Sequence, residues 1–93
     1  MRYLSLLLVF VLVVPLLAQG APTDDRIYDE VRRRLANDVV VKGGGLEVIV
    51  KDGAVTLQGR VHDAKARDKA EKIAKKVKGV VSVTNQLKIF GQD

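Results

Sequence analysis

Residues 46–61 constrain the fold of this 93-residue chain more than any other segment. Apolar and polar residues alternate in two runs, and Asp52-Gly53 separates the runs. Alternation with a period of two is typical of strands that bury one face. An Asp-Gly pair between such runs favours a type I′ turn, because both of its central positions need positive φ. The sequence therefore predicts a β-hairpin with strands over Leu46–Lys51 and Ala54–Val61.

Two segments with helical periodicity lie on either side of the hairpin. The first is predicted over Thr23–Asp38, with acidic residues in its first turn, where the helix dipole favours them. The second is predicted over Ala64–Lys78, where Asp63 can cap the start and Gly79 can end the helix. Their apolar stripes are Ile27, Val31 and Leu35 in the first helix, and Ala66, Ala70, Ile73, Ala74 and Val77 in the second.

A third strand is predicted over Val80–Phe90, and the inner face of that strand is expected to carry Val81, Val83, Leu87 and Ile89. The resulting order is helix, strand, strand, helix, strand. This order predicts an α+β module in which both helices pack on one face of a three-stranded sheet. The sheet is expected to be mixed, because strands joined through a helix can run parallel. A glycine inside a strand indicates a close approach, and we expect the second helix to cross over Gly59.

Residues 1–20 have the pattern of a secretory signal peptide, followed by a single domain over residues 21–93. One early arginine precedes an apolar run of 14 residues, and Ala18-Gln19-Gly20 resembles a cleavage site. A retained membrane anchor is the alternative, although a spanning helix needs about 20 apolar residues. The sequence thus predicts a periplasmic or secreted protein that begins at Ala21. It is not expected to be a lipoprotein, because the chain has no cysteine to acylate.

The residues available for chemistry are few. The predicted mature chain holds no cysteine, one serine (Ser82) and one histidine (His62). A nucleophile needs a base, and a metal ion needs several ligands, so we expect no catalytic residue, no metal site and no cofactor. Gly43–Gly45 follow a helix and enter a strand, which is the reverse of a phosphate-binding loop, and they are interpreted as a flexible connector.

Taken together, these motifs resemble the BON domain, the bacterial osmotically inducible and nodulation module. The residues that carry the resemblance are Asp25, Ile27, Val31 and Leu35; Val48, Val50, Asp52, Gly53, Val55, Leu57, Gly59 and Val61; Arg67, Ala70 and Ala74; and Gly79, Val80, Val83, Asn85, Leu87 and Ile89. The resemblance implies an envelope protein that attaches to phospholipid surfaces, often under osmotic or other envelope stress. The triple glycine is looser than the family's usual link between helix and strand. Many members of the family carry two such domains, whereas this sequence carries one.

The second helix contains the one candidate binding surface. Lys65, Lys69, Lys72 and Lys76 are spaced to form a row along one flank of the apolar stripe. Such a row can meet anionic headgroups at about 1 kcal/mol per charge. The alternative is a lysine-rich face that serves only solubility. Arg32–Arg34 are consecutive, so they are expected to point in three directions and to form no common patch.

The predicted function is therefore that of an exported, non-enzymatic module that binds an anionic phospholipid surface or an envelope partner. A structural protein–protein interaction module without lipid binding is the alternative, for example through an open sheet edge. No nucleic-acid partner is expected, because a GXXG clamp between helices is missing and stacking aromatic residues are scarce. The sequence leaves the oligomeric state open.

Overall fold

The computed structural model describes residues 23–92. Its regular elements are helix α1 (Asp24–Asn37), a short 3-10 turn (Gly43–Gly45), strands β1 (Glu47–Lys51) and β2 (Ala54–Val61), helix α2 (Ala64–Lys75) and strand β3 (Ser82–Ile89). This order confirms the predicted α+β module. The predicted signal peptide and cleavage site lie outside the described residues.

The sheet has the order β1-β2-β3, with β2 in the centre. β1 and β2 pair antiparallel around the hairpin turn, and β2 and β3 run parallel. Both helices bury their apolar stripes in the same cluster as the inner residues of the strands, so they cover one face of the sheet. The side chains most completely buried in this cluster are Leu35, Leu57, Val31, Val41, Val55 and Val61. The mixed sheet and the single covered face were both predicted.

Side-chain caps define the ends of α1. The Thr23 hydroxyl accepts a hydrogen bond from the Arg26 amide at 3.3 Å, which satisfies one of the free N–H groups of the first turn. At the other end, Asp38 has an extended backbone, and its carboxylate accepts hydrogen bonds from the Val40 and Val41 amides. These bonds turn the chain sharply towards β1 and place Val41 in the core.

Helix α2 is shorter than predicted and ends at Lys75 instead of Lys78. Asp63 caps its start as expected, since its carboxylate accepts a hydrogen bond from the Ala66 amide at 2.8 Å. After Lys75, the amides of Lys76 and Val77 donate to carbonyls three residues back, at 3.2 Å each. The last turn is therefore of the tighter 3-10 type, which is common at helix ends.

The sequence prediction was wrong at Val81 and Gly59. Val81 is 74% exposed, because its amide bonds to the Gly53 carbonyl beside the hairpin turn, while Val80 packs against the core in its place. The close approach at Gly59 is present, but Leu46 makes it instead of the second helix. A Cβ at Gly59 would lie 2.9 Å from the Leu46 Cδ2 atom.

Asp24 connects the start of α1 to the hairpin turn. Its two carboxylate oxygens accept hydrogen bonds from the Asp52 amide at 2.8 Å and the Gly53 amide at 3.0 Å. From the sequence, Asp24 was expected only as an acidic residue of the first helical turn, because local patterns do not reveal a contact across 28 residues. The contact holds the start of α1 against the turn that follows β1.

Asp24→Ala is expected to destabilise the domain by about 1–3 kcal/mol, because the variant leaves two turn amides without their charged acceptor. Asp25→Ala is the matched control, since Asp25 also lies in the first turn of α1 but is exposed. Both substitutions remove the same charge from the helix N-terminus. Thermal and urea unfolding measure the difference, and equal midpoints for the two variants would show that the turn contact contributes nothing.

Candidate functional site

The four predicted lysines lie along one flank of α2. Lys65, Lys69 and Lys72 belong to the helix, and Lys76 is its C-cap with a still-helical backbone. At 3.6 residues per turn, the four positions fall within about 60° of one another around the helix axis. Lys65, Lys72 and Lys76 are exposed, while Lys69 is partly covered.

Lys69 is held by the end of α1. Its ammonium lies 2.9 Å from the Asp38 carboxylate. The hydrogen bond from Lys69 lowers the pKa of the Asp38 carboxyl, and the Val41 amide acts in the same direction. A lowered folded-state pKa means that this contact stabilises the fold above the carboxyl's ordinary pKa and is lost as the pH falls through the folded value. Since Asp38 is the C-cap of α1, the ion pair also shows that the lysine flank of α2 faces the end of α1.

A cleft of about 350 Å³ lies between the two helices on this side. Lys76 and the half-buried Ile73 line it from α2, and Arg33 and Arg34 line it from α1. The arginines were predicted to form no common patch, and this prediction was wrong for two of the three. Arg33 and Arg34 both bond to the Glu30 carboxylate at 2.7 Å, because long side chains on adjacent positions can reach one acceptor.

The two ion pairs with Glu30 leave a net positive charge on this side of α1, because two arginines share one carboxylate. The Arg34 hydrogen bond lowers the pKa of the Glu30 carboxyl, and the Arg33 charge adds to the effect, so one carboxylate serves two guanidinium groups. The third arginine, Arg32, instead donates to the Tyr28 hydroxyl at 3.0 Å. The lysine row and the two arginines of α1 come together at the cleft, which Lys76, Arg33 and Arg34 all line. They are here called the basic helix surface, which consists of Arg33, Arg34, Lys65, Lys69, Lys72 and Lys76. Asp38 also lines the cleft and Glu30 bonds to both arginines, so six basic side chains stand against two carboxylates.

The serine and the histidine that were considered for catalysis or metal binding lie on the surface. His62 and Ser82 are both exposed, His62 between β2 and α2 and Ser82 at the start of β3. Among residues 23–92, no three His, Cys, Asp or Glu side chains are grouped so as to hold a metal ion. Within the same residues, no helix has the length and apolar character needed to cross a membrane.

Comparison with known proteins decides the family. The family model of the BON domain matches residues 23–90. The chain belongs to the BON domain family. The match covers every helix and strand described above, as the resemblance of the motifs implied.

A curated relative of this BON domain protein is the osmotically-inducible protein Y of Escherichia coli (strain K12). The two sequences are 39% identical over 70 residues, which are 75% of this chain and 35% of the relative. The chain thus spans about a third of the length of that relative.

Asn85 is a further polar residue of the BON domain whose role sequence analysis missed. Its side-chain amide donates to the Arg67 carbonyl at 2.9 Å and to the Glu71 carboxylate at 3.3 Å, and its oxygen accepts from the Leu87 amide. Lys75, followed by Asn85, lowers the pKa of the Glu71 carboxyl. A polar residue at an inward strand position was the available signal, because such groups are almost always hydrogen-bonded.

The Asn85 contacts also decide which side of α2 is available to a partner. They fasten the flank with Arg67 and Glu71 to β3. The opposite flank carries the lysine row and faces α1 and solvent. The basic helix surface is therefore accessible without any rearrangement of the fold.

Proposed function

We propose that this BON domain is an exported, non-enzymatic binding module that associates reversibly with anionic phospholipid surfaces. The observation that carries the proposal is the basic helix surface, in which the lysine row of α2 continues onto Arg33 and Arg34 of α1. The signal-peptide pattern of residues 1–20 supports the export step, since it would bring the domain to the cell envelope.

The charges suit a planar anionic surface. Lys65, Lys72 and Lys76 project from one helix flank, and each basic residue near a charged membrane contributes about 1 kcal/mol. Lys69 contributes less, because Asp38 already neutralises it. The expected binding is thus a few kcal/mol in strength, reversible and sensitive to salt, since exposed charges are screened within about 8 Å at physiological ionic strength.

The relative suggests the circumstances in which the module acts. The Escherichia coli protein is named for osmotic induction. We infer that this chain has a related role in the envelope during osmotic stress. If it binds no lipid, an envelope protein is the alternative partner.

Changing Lys65, Lys69, Lys72 and Lys76 together to Gln is expected to weaken binding to anionic liposomes at least tenfold. Sedimentation of the exported protein with vesicles of neutral lipid, and with vesicles containing anionic lipid, at two salt concentrations, measures the effect. The parent protein should sediment with the anionic vesicles at low salt and be released by added salt.

A variant with the same change in net charge is the control. Lys42, Lys51, Lys78 and Lys88 are exposed lysines outside α2, and their replacement by Gln should reduce binding much less. Circular dichroism must show that both variants are folded. Equal binding by the two variants would remove the basic helix surface from the mechanism. A parent that ignores anionic vesicles at low salt would contradict lipid binding and favour a protein partner.

A further inference from the structure

A second cleft, of about 470 Å³, lies where β2 and β3 end, on a different part of the domain from the basic helix surface. The backbone closes this end of the sheet, since the Phe90 amide donates to the Val61 carbonyl at 2.9 Å. The volume is in the range of small-ligand sites, roughly 300–1,000 Å³. The residues that line the cleft divide into an apolar group and a basic group.

The apolar group consists of Val41, Leu46 and Phe90. Val41 and Leu46 are buried parts of the core, whereas Phe90 is 58% exposed. The Phe90 ring lies 5.8 Å from the His62 ring, tilted by 44°. An aromatic ring that is open to water can offer its apolar area to a ligand without first leaving the core.

Three basic residues line the cleft: Lys42, Arg60 and His62. Arg60 already takes part in another interaction of the fold, so Lys42 and His62 are the residues considered for a ligand. None of the described residues that line the cleft is acidic. Asp63 follows His62 in the chain, but its carboxylate accepts the Ala66 amide in the cap of α2. Lys42 has a left-handed backbone, with φ and ψ both at 50°, which is unfavourable for a residue with a side chain. This unusual conformation occurs at the rim of the cleft.

The glycine turn forms the same rim. Gly43 has a packing role, because a Cβ there would lie 3.0 Å from the Leu35 Cβ atom. Gly44 and Gly45 have none: a Cβ at either position would meet no atom within 4 Å, and neither has a positive φ. Gly45 lines the cleft, and a backbone without a side chain lets a ligand approach closely.

We propose that this cleft binds a single-chain amphipathic anion, with its carboxylate or phosphate head at Lys42 and His62 and its apolar chain against Phe90. The site takes a monomeric ligand from solution, and it is separate from the basic helix surface. The proposal therefore does not depend on attachment of the domain to membranes.

Four probes separate the contributions of head and chain. Octyl phosphate and octanoate carry both parts, inorganic phosphate carries the head alone, and octyl glucoside carries the chain with a neutral head. Each is titrated, below the concentration at which it forms micelles, into the ¹⁵N-labelled exported protein. The first two should shift the amide signals of Lys42, Gly45, His62 and Phe90 saturably. Their Kd should be at least tenfold lower than those of inorganic phosphate and octyl glucoside.

Two variants test the location of the site. Phe90→Ala removes the exposed ring, and Gly45→Val fills the rim from a position with open space around it, so the fold should tolerate both changes. Each should raise the Kd for octyl phosphate at least tenfold. Lys78→Gln, an exposed lysine in the turn after α2, should leave it unchanged.

Two results would overturn the proposal. One is octyl glucoside binding as tightly as octyl phosphate. The other is octyl phosphate binding that survives both Phe90→Ala and Gly45→Val. The variant with glutamine at Lys65, Lys69, Lys72 and Lys76 distinguishes this site from the proposed membrane surface, because it should lose liposome binding and retain octyl phosphate binding.

Discussion

Val55→Asp is expected to unfold the domain. Val55 lies in the central strand and is 1% exposed, within the cluster that both helices cover. A carboxylate at this position would be buried without a partner, and such a burial costs several kcal/mol. A domain of this size has a total stability of only about 4–10 kcal/mol. The variant should therefore be largely unfolded at room temperature. Circular dichroism should show no cooperative transition when it is heated or titrated with urea.

Thr56→Asp is the control for this prediction. Thr56 is the next residue of β2, and its side chain points to the face of the sheet that the helices leave open. The same carboxylate placed there stays hydrated, and the loss of stability should not exceed about 1 kcal/mol. A Val55→Asp variant that unfolds as cooperatively as the Thr56→Asp variant would mean that the two faces of the strand are assigned the wrong way round.

Gly53→Ala is expected to destabilise the domain by about 1–3 kcal/mol. Gly53 is the second central residue of the hairpin turn and has a φ of 81°, a conformation that disfavours a side chain. A Cβ there would also lie 2.9 Å from the Gly79 carbonyl oxygen, which is backbone and cannot move aside without shifting the turn before β3. The substitution thus strains the hairpin and the approach to β3 together.

Gly44→Ala is the matched control, since this glycine has open space around it and no positive φ. The substitution should be neutral, or stabilise the domain by about 0.4–1 kcal/mol through the entropy of the unfolded chain. Urea unfolding of both variants gives the comparison. Equal free energies of unfolding for Gly53→Ala and Gly44→Ala would show that the turn does not require glycine.

The elements themselves could be read from the sequence, because their causes are local. The four-residue recurrence of Ile27, Val31 and Leu35 identified the buried face of α1. The bounds of β2 were predicted correctly, and the positive φ at both Asp52 and Gly53 confirms the turn that an Asp-Gly pair favours. Periodicity and turn chemistry depend on neighbours within a few residues, so they are visible without a structure.

The contacts between elements were decided by the tertiary structure. Asp24 reaches the hairpin turn, Leu46 covers Gly59, and Arg33 meets Lys76 across a cleft, all because helices and strands dock at particular distances and angles. Sequence patterns show which face of an element is buried, but they do not show which residues of another element it will meet. The sequence thus determined the α+β module and the lysine row on its second helix. The docking of α1 against α2 and the sheet decided which charges are paired and which face a partner, because ion pairs and hydrogen bonds depend on separations of a few ångströms between residues far apart in the chain.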